Sequence, residues 1–499
     1  MASLEGRVEG QQVPQILTSE QYIPRTMPQV LGTFDMIAIY VAAIFFIGNA
    51  ALSAALGGVV SLTYLAIGAI AFFLPCVIAT TQLGVIYPHE GSLYNWTCRA
   101  LGPYWGFFAG LSYWLPNVLA IVGAADGFVT YIQGLNNNWL VEPWQQGLVI
   151  LAVIALTTLL GIQRMRTTQN VVNGIIVATL GVVVLVAVAC VVAFLQQGSK
   201  TPMNNPGDWV VNWQNFPLFG FIALLYLGTS VPMNMAGEIV HTRVITRHLL
   251  WGTLLVLAGY FICTVALLVV QGPALANDPI VPYEVVVMLD SVLGKFIGII
   301  SAVVILGFYF ISPLVYNYAT ARLLLTASVD RRLPLALGRL NKHRVPANAI
   351  IFQSVLAGTF VAIIFFAAPA LVILGGKPAD LATKVYNVVL AAMTLILAAS
   401  TIFYFVDLFS IYRRDRRAFH QKRIFPMWVL WLCIIVGPAT CLVVVYDTLQ
   451  NSWIPQLITN EYWWFIIGGI TLFSITMTAL GSMIATSQAA WEHLGSEQD

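Results

Sequence analysis

Small and polar residues interrupt an apolar stretch, residues 217 to 240, that is otherwise long enough to cross a bilayer. Gly228, Thr229, Ser230 and Pro232 lie at its centre, where an unbroken spanning helix has no use for them. Pro232 removes a backbone donor and clashes with the preceding turn, so a helix break is predicted there. A break at membrane depth is tolerated where it is buried in protein or lines a wet cavity. The chemistry this predicts is non-covalent binding of a small solute.

The first apolar stretch contains a second candidate break. Gly48, Asn49, Ala50 and Ala51 lie at its centre, and Asn49 is strongly polar. Corresponding interruptions in two five-helix halves are expected of an inverted repeat, with the substrate site between them near the bilayer midplane. The structural alternatives are a simple proline kink in the later stretch and close helix packing in the earlier one.

Peptide dipoles at the two breaks predict how a zwitterion would bind. Amide donors at the start of one half-helix attract a carboxylate, and carbonyl acceptors at the end of another attract an ammonium. We expect the carboxylate beside Gly48, Asn49 and Ala50, and the ammonium near the carbonyls of residues 224 to 227. The substrate-binding residues predicted at the breaks are Ile47, Gly48, Asn49, Ala50, Leu224, Tyr226, Leu227, Gly228 and Ser230.

The composition indicates an integral membrane protein. Of 499 residues, 59% are hydrophobic and 9% are charged, whereas a soluble domain carries about 25% charged residues. Apolar stretches near the length of roughly 20 residues that a spanning helix needs recur along the chain. The predicted fold is all-α, with about twelve transmembrane helices near residues 33–57, 62–86, 104–132, 145–162, 172–196, 217–240, 247–271, 295–322, 347–374, 383–411, 425–449 and 461–485.

The order of these helices predicts the organisation of the chain. Helices 1 to 5 and 6 to 10 would form two inverted repeats, with helices 1 and 6 discontinuous and helices 11 and 12 following them. The predicted parts are a cytoplasmic amino-terminal segment at 1–31, the first repeat at 32–200, the second repeat at 217–411, helices 11 and 12 at 425–485 and a cytoplasmic tail at 486–499.

The basic residues predict the orientation. If the amino terminus is cytoplasmic, all of the 23 Lys and Arg residues fall inside except Lys200, Lys295, Lys377 and Lys384, which is a strong positive-inside asymmetry. Both termini are therefore predicted to be cytoplasmic, in the plasma membrane or the inner membrane of a bacterium. Residues 1 to 31 lack the layout of a cleaved signal. No nucleic-acid partner is expected, because the basic clusters lie at helix ends.

No arrangement for covalent chemistry is predicted at membrane depth. The six cysteines have no close paired spacing, so neither a disulfide framework nor a metal site is expected. The six histidines fall in loops, at helix ends or in the tail, where they provide no haem ligand or acyl-transfer base at depth. A membrane enzyme is therefore disfavoured, and no catalytic residue, metal ligand or cofactor is predicted.

Two motifs lie on the predicted cytoplasmic side. The first contains Leu83-Gly84, Pro88, Gly91, Tyr94, Trp96 and Leu101-Gly102-Pro103-x-x-Gly106-Phe107, and the second contains Ala321-Arg322, Asp330, Leu333-Pro334 and Pro346. These motifs resemble those of the amino acid/polyamine/organocation transporter superfamily. They differ from its pattern at Gln82, where the family usually has an acid, and at Glu90, where it has a glycine.

The resemblance implies a LeuT-like fold of five plus five helices and assigns roles to several residues. Asn117 matches a position that faces the substrate in arginine-exchanging relatives, and Tyr316 matches an aromatic above the substrate. Glu238 matches an acid at the cytoplasmic end of helix 6, where it would cap that helix or pair with Arg243 as a gate element. The structural alternatives are an interhelical hydrogen bond for Asn117 and core packing for Tyr316.

Other positions bear on the substrate and on coupling. Ser230 replaces the acid of several exchangers and Leu224 replaces a gating Phe or Trp, so arginine exchange is not expected. Helix 5 contains no lysine, which proton-coupled relatives often place there, and Ser312 could supply an oxygen to sodium. The coupling ion, Na⁺ or H⁺, stays open. Asp126, near the outer end of helix 3, is either a solvated rim carboxylate or a contact for a cationic substrate.

The predicted function is that of a permease, a secondary active transporter that moves a small amino acid or amine as an antiporter or symporter. The resemblance implies alternating access through rocking of helices 1, 2, 6 and 7. One alternative is a polyamine or other organic-cation carrier, which needs carboxylates such as Asp126 at its site. The other is a nutrient receptor that binds without translocating. The partners predicted are the small-molecule substrate and the lipid bilayer, with the oligomeric state left open.

Overall fold

The secondary-structure elements of the described residues, which are 17–278, 280–370, 378–454 and 457–496 of a computed structural model, are all helices. The helices are α1 (Thr18–Thr26), α2 (Thr33–Ile44), α3 (Ile47–Gly57), α4 (Val60–Ile86), α5 (Ser92–Leu101), α6 (Pro103–Leu135), α7 (Pro143–Gly161), α8 (Met165–Gln197), α9 (Leu218–Leu225), α10 (Arg243–Val270), α11 (Glu284–Leu293), α12 (Lys295–Val329), α13 (Ala347–Ala367), α14 (Pro378–Arg414), α15 (Arg416–Gln421), α16 (Met427–Gln450) and α17 (Asn460–Ser496). Short 3₁₀ segments lie at Pro206–Trp209, Pro232–Glu238, Gly272–Asn277, Val281–Tyr283 and Leu335–Gly338.

Eleven helical segments in the described part of the chain are long and apolar enough to cross a membrane. The first of them consists of α2 and α3 together, Thr33–Gly57. The predicted span at 217–240 is not among them, because α9 and Pro232–Glu238 are each too short to cross alone. The predicted end of the ninth span, residues 371–374, lies outside the described residues. A twelfth crossing at the broken helix therefore stays a prediction.

The first span is discontinuous, as predicted, but it breaks slightly earlier than the sequence indicated. Phe45 and Phe46 have extended backbones, with ψ of 92° and 105°. The predicted break residues Gly48 to Ala51 lie instead in the first turns of α3. The physical reason is a tyrosine from α10. The Tyr260 hydroxyl donates to the Ile44 carbonyl at 2.6 Å and accepts from the Phe46 amide at 3.2 Å, so it satisfies the backbone groups that the break exposes.

The second break lies where Gly and Pro predict it. Helix α9 ends at Leu225, and Gly228 has φ of +105°, a conformation that side chains disfavour. The 3₁₀ segment then starts at Pro232. A Cβ on Gly228 would lie 3.6 Å from the Ala43 carbonyl oxygen, which is just ahead of the first break. The two breaks therefore lie side by side.

Backbone hydrogen bonds also join the ends of the two broken helices. The amides of Val30 and Leu31 donate to the Glu238 carbonyl at 2.9 and 3.0 Å, and the Val240 amide donates to the Leu31 carbonyl at 3.2 Å. This contact lies at the end of α2 that carries α1, which we call the amino face. The far end of α3 meets α9, because a Cβ on Gly57 would overlap the Leu218 side chain. We call that end the opposite face.

A substitution at the second break tests its backbone conformation. Gly228→Ala should destabilise the protein by about 1–3 kcal/mol, because a Cβ has space there but the positive φ is strained. The matched control is Gly181→Ala in the middle of α8, where a Cβ meets no neighbour and helix propensity favours alanine by about 1 kcal/mol. Thermal unfolding in detergent micelles measures both. Equal midpoints for the two variants would contradict the strained break.

Candidate functional site

A cavity of about 630 Å³ extends from the two helix breaks to the opposite face. At its deep end it is lined by Ala43, Phe46 and Leu227, which belong to or adjoin the breaks. At its outer end it reaches Gln214 and Ser452, which lie in loops. The volume is in the range of pockets that bind small molecules.

Most of the lining is apolar, and the polar groups are few. Asn49 from α3 and Asn117 from α6 contribute amides, and Tyr309 and Tyr316 from α12 contribute hydroxyls. Asp126, which follows Asn117 on α6, contributes a carboxylate to the same cavity. The described lining contains no Lys, Arg or His. An ammonium group would therefore meet an attractive field in this cavity, and an isolated anion would not.

Asp126 takes no part in the ion pairs found among the described residues, which join Glu20 to Arg99, Asp35 to Arg166 and Glu238 to Arg322. Its side chain is half-buried rather than fully exposed at the rim. A carboxylate that faces a largely apolar cavity without a protein cation favours a positively charged ligand group.

Aromatic rings form one side of the cavity beside the first break. The Phe46 ring packs edge-on against Phe308 at 5.5 Å between centroids and lies 5.9 Å from Tyr309. Tyr309 also covers the start of α3, since a Cβ on Gly48 would lie 2.7 Å from its hydroxyl oxygen. Neither Phe46 nor Tyr309 was predicted as a site residue, because their roles depend on contacts between α12 and the first break.

The predicted substrate-binding residues divide into two groups. Those that line the cavity are Asn49, Asn117, Leu224, Leu227 and Tyr316. Those that do not line it are Ile47, Gly48, Ala50, Tyr226, Gly228 and Ser230.

Hydrogen bonds show what occupies the second group. The Ser230 hydroxyl lies 2.6 Å from the Tyr404 hydroxyl and is fully buried. The Tyr226 hydroxyl donates to the Leu65 carbonyl at 3.0 Å, and its ring stacks on Phe73. In this conformation both side chains pack against neighbouring helices and do not line the cavity.

Asn117 and Tyr316 have partners at the breaks and on α6. The Asn117 amide donates to the Tyr113 carbonyl at 2.6 Å, while its oxygen has no hydrogen-bond partner. The Tyr316 hydroxyl donates to the Ala43 carbonyl at 2.5 Å. Tyr316 thus satisfies a carbonyl freed by the first break and lines the cavity as well.

The predicted gate residues are arranged differently from the expectation. The Arg322 guanidinium donates to the Glu238 carboxylate at 2.8 Å, and both side chains are fully buried. Arg243, the predicted partner, is exposed. Arg322 is one helical turn beyond Tyr318, whose carbonyl also accepts from it at 2.7 Å. The pairing of Glu238 with Arg243 is therefore wrong, because α12 brings an arginine closer to the 3₁₀ segment.

Ser312, the predicted sodium contact, is buried away from the cavity. Its hydroxyl donates to the Phe308 carbonyl one turn earlier in α12, at 3.0 Å. The described residues contain no cluster of three or more His, Cys, Asp or Glu side chains that could hold a metal ion.

The amino face is closed by a helix as well as by the buried ion pair. The Ser19 amide and hydroxyl donate to Asp330 at 2.8 and 2.9 Å, and the Tyr94 hydroxyl donates to it at 3.0 Å. Glu20 accepts from Arg99 and from the Asn95 amide. Helix α1 thereby lies across the ends of α5 and α12, so the cavity is open toward the opposite face and closed at this one.

The sequence of this chain is similar to those of known transport proteins. The family model for amino acid permeases matches residues 31–473. A branched-chain amino acid permease of Lactococcus lactis is 26% identical over 378 residues, covering 68% of this chain and 77% of its own length. A gamma-aminobutyric acid permease of Bacillus subtilis is 23% identical over 342 residues, covering 66% and 69%. A lysine-specific permease of Escherichia coli is 22% identical over 335 residues, covering 63% and 66%.

Removing one hydroxyl tests how the first break is stabilised. Tyr316→Phe leaves the Ala43 carbonyl without its donor, which should destabilise the protein by about 1–3 kcal/mol. Tyr446→Phe is the matched control, because that ring is 56% exposed on α16. Thermal unfolding in micelles should show a lower midpoint for the first variant alone. An unchanged midpoint would show that the hydroxyl does not support the break.

Proposed function

The chain belongs to the amino acid permease family, which consists of membrane transporters and not enzymes, and on that premise we propose that it is a secondary active transporter of a small amino acid or amine that works by alternating access. The observation that carries the proposal is the cavity that reaches both helix breaks from one face only. Alternating access requires such a site to be open to one side at a time.

We further propose the topology that this mechanism needs. Residues 32–200 and 217–411 would be the two inverted repeats, with the breaks at equivalent places in each and 425–485 packed beside them. Both termini would be cytoplasmic in the plasma membrane, because the basic residues concentrate at the amino face. The structure would then correspond to an outward-open state. Closing the cavity and parting α1, α5 and α12 would produce the inward-open state.

The site suits a substrate with an amino group and a polar second end. Asn49, near the start of α3, lines the cavity, and its side chain would meet a carboxylate with support from the amide dipoles of that helix end. Leu224 and Leu227 line the cavity where α9 ends, and carbonyl groups at such an end attract an ammonium. The apolar lining between them would accept a hydrocarbon side chain.

A cationic substrate is the second candidate, and Asp126 is the observation that favours it. Its carboxylate lines the cavity without a protein cation among the described ion pairs. An amine at the end of a lysine or diamine chain would supply the missing positive charge. In that case Asn49 and Asn117 would hold the other end of the molecule.

Counterflow in proteoliposomes tests the proposed function. Vesicles preloaded with unlabelled leucine, gamma-aminobutyrate, lysine or putrescine should take up a trace of the same labelled compound for at least one of the four. A receptor that binds without translocating would give binding but no counterflow. Absence of counterflow with all four compounds would contradict transport of this substrate class.

Asp126→Asn separates the two substrate classes. For lysine or putrescine, loss of a charge-assisted hydrogen bond of about 1.5–3 kcal/mol should weaken uptake about tenfold to a hundredfold. Leucine uptake should change little, because no charge on its side chain is involved. Asp208→Asn is the matched control, because its carboxylate is exposed in the 3₁₀ segment Pro206–Trp209 of the opposite face. Unchanged lysine and putrescine uptake would exclude Asp126 as a cation contact.

A further inference from the structure

Glu90 is a buried carboxyl that lies outside the substrate cavity. It lies in the turn between α4 and α5, is 2% exposed, and neither of its side-chain oxygens has a hydrogen-bond partner. Its chain packs against Gly237, where a Cβ would come within 3.0 Å of it. The amides of Gly237 and Glu238 lie near the carboxyl, but they do not complete hydrogen bonds with it. An ionised carboxylate in such a place is strongly disfavoured.

The charges around Glu90 do not balance. Arg322 pairs with Glu238 through one oxygen, and the second Glu238 oxygen has no partner. From the α1 side, Glu20 faces Glu90 but is already paired with Arg99. Two carboxyls and one guanidinium therefore share one buried cluster, which would carry a net negative charge if both acids were ionised.

The neighbouring histidine does not supply the missing cation. His89 is next to Glu90 in the chain, and burial lowers the pKa of its imidazole, which favours the neutral ring. Burial raises the pKa of Glu90 well above its ordinary value, and the Glu238 carboxylate raises it further, while Arg322 lowers it in part. Burial without a hydrogen-bond partner and the adjacent Glu238 carboxylate both favour the protonated form of Glu90 in this conformation.

Unpartnered polar groups connect the cluster with the substrate cavity. The Asn117 oxygen, at the cavity, and the Tyr113 hydroxyl below it both lack partners. The Tyr113 hydroxyl faces the side chains of Ser230 and Asn234. The Asn234 side-chain nitrogen also lacks a partner, and the Asn234 carbonyl accepts from the amide of Gly91, next to Glu90, at 3.2 Å. Buried groups of this kind are those that internal water usually bridges.

We propose that Glu90 is the proton-binding site that couples transport to proton movement, and this rests on the proposed function. Glu90 takes up one proton from the cavity along the polar groups of Asn117, Tyr113 and Asn234 while the amino face is closed. When α1 and its neighbours part at the amino face, water reaches the carboxyl and it releases the proton there. One proton then crosses the membrane in each cycle, in the same direction as the substrate.

Protonation of Glu90 and closure of the amino face are linked. Glu90 has a raised pKa in the closed conformation and an ordinary one when hydrated, so protonation stabilises closure of the amino face. That stabilisation is complete below the ordinary pKa of about 4.5 and is lost as the pH rises toward the raised value. Within this window the ratio of the closed to the hydrated form falls about tenfold per pH unit.

The pH dependence of stability tests the site without any substrate. The thermal midpoint of the purified wild-type protein should fall relative to that of Glu90→Gln between pH 5 and pH 8, because glutamine stays neutral. Glu461→Gln, at an exposed acid in α17, should follow the wild-type curve. Parallel curves for the wild type and Glu90→Gln would overturn the proposal. If Glu90→Gln is not recovered as folded protein, Glu90→Ala carries the same expectation, since it also removes the proton.

Transport in proteoliposomes tests the coupling separately from the function. With whichever of leucine, gamma-aminobutyrate, lysine and putrescine gives counterflow, the wild type should accumulate that compound when the cavity side is made one pH unit more acidic. Glu90→Gln should keep counterflow within about twofold and lose accumulation, since exchange needs no net proton transfer. Accumulation retained by Glu90→Gln, or absent in the wild type, would overturn the proton site while leaving the transport function intact. Absence of counterflow in the wild type would instead contradict the function.

Discussion

Backbone hydrogen bonding inside the hydrocarbon region is the constraint on which the structure depends. A helix that unwinds there exposes amides and carbonyls that lipid does not satisfy. In this protein, hydroxyls of Tyr260 and Tyr316 satisfy the backbone on both sides of the first break, and the second break lies against it at Gly228. The tyrosines of α10 and α12 therefore stabilise the first break by satisfying its backbone groups. The second break lies beside the first, and residues of both line the deep end of the cavity or adjoin it.

The same arrangement makes the two faces different. Toward the opposite face, the helices leave a cavity that has few polar groups and reaches the loops at Gln214 and Ser452. Toward the amino face, the 3₁₀ segment brings Glu238 to Arg322, and α1 covers the ends of α5 and α12. A rigid-body rocking motion would have to break this polar contact in order to open the second path. The most heavily buried charges thus lie where the transport cycle would need a reversible seal.

Much of the fold was predictable from local chemistry, whereas contacts made across the fold were not. Gly228 and Pro232 predict the second break, because the backbone dihedral angles that glycine and proline favour are properties of the residues themselves. The first break has no such signal and lies two residues before Gly48, because Tyr260 fixes it from 214 residues away. Asn49, Asn117 and Asp126 were recognisable as polar residues within predicted spans, and all line the cavity. Helix packing determines the roles of Phe46 and Tyr309 and the pairing of Glu238 with Arg322. These contacts join residues that are far apart in the sequence, so local patterns do not predict them.

The central claim is that the unwound helices form a solute site reached from one face at a time. Thiol labelling of Asn49→Cys with a membrane-impermeant maleimide tests it most directly, against the parent chain with its six cysteines. The reagent should reach residue 49 from the face of the 198–217 loop, should not reach it from the face of residues 17–32, and should react more slowly when substrate occupies the cavity. Equal labelling from both faces, or none from either, would contradict the claim.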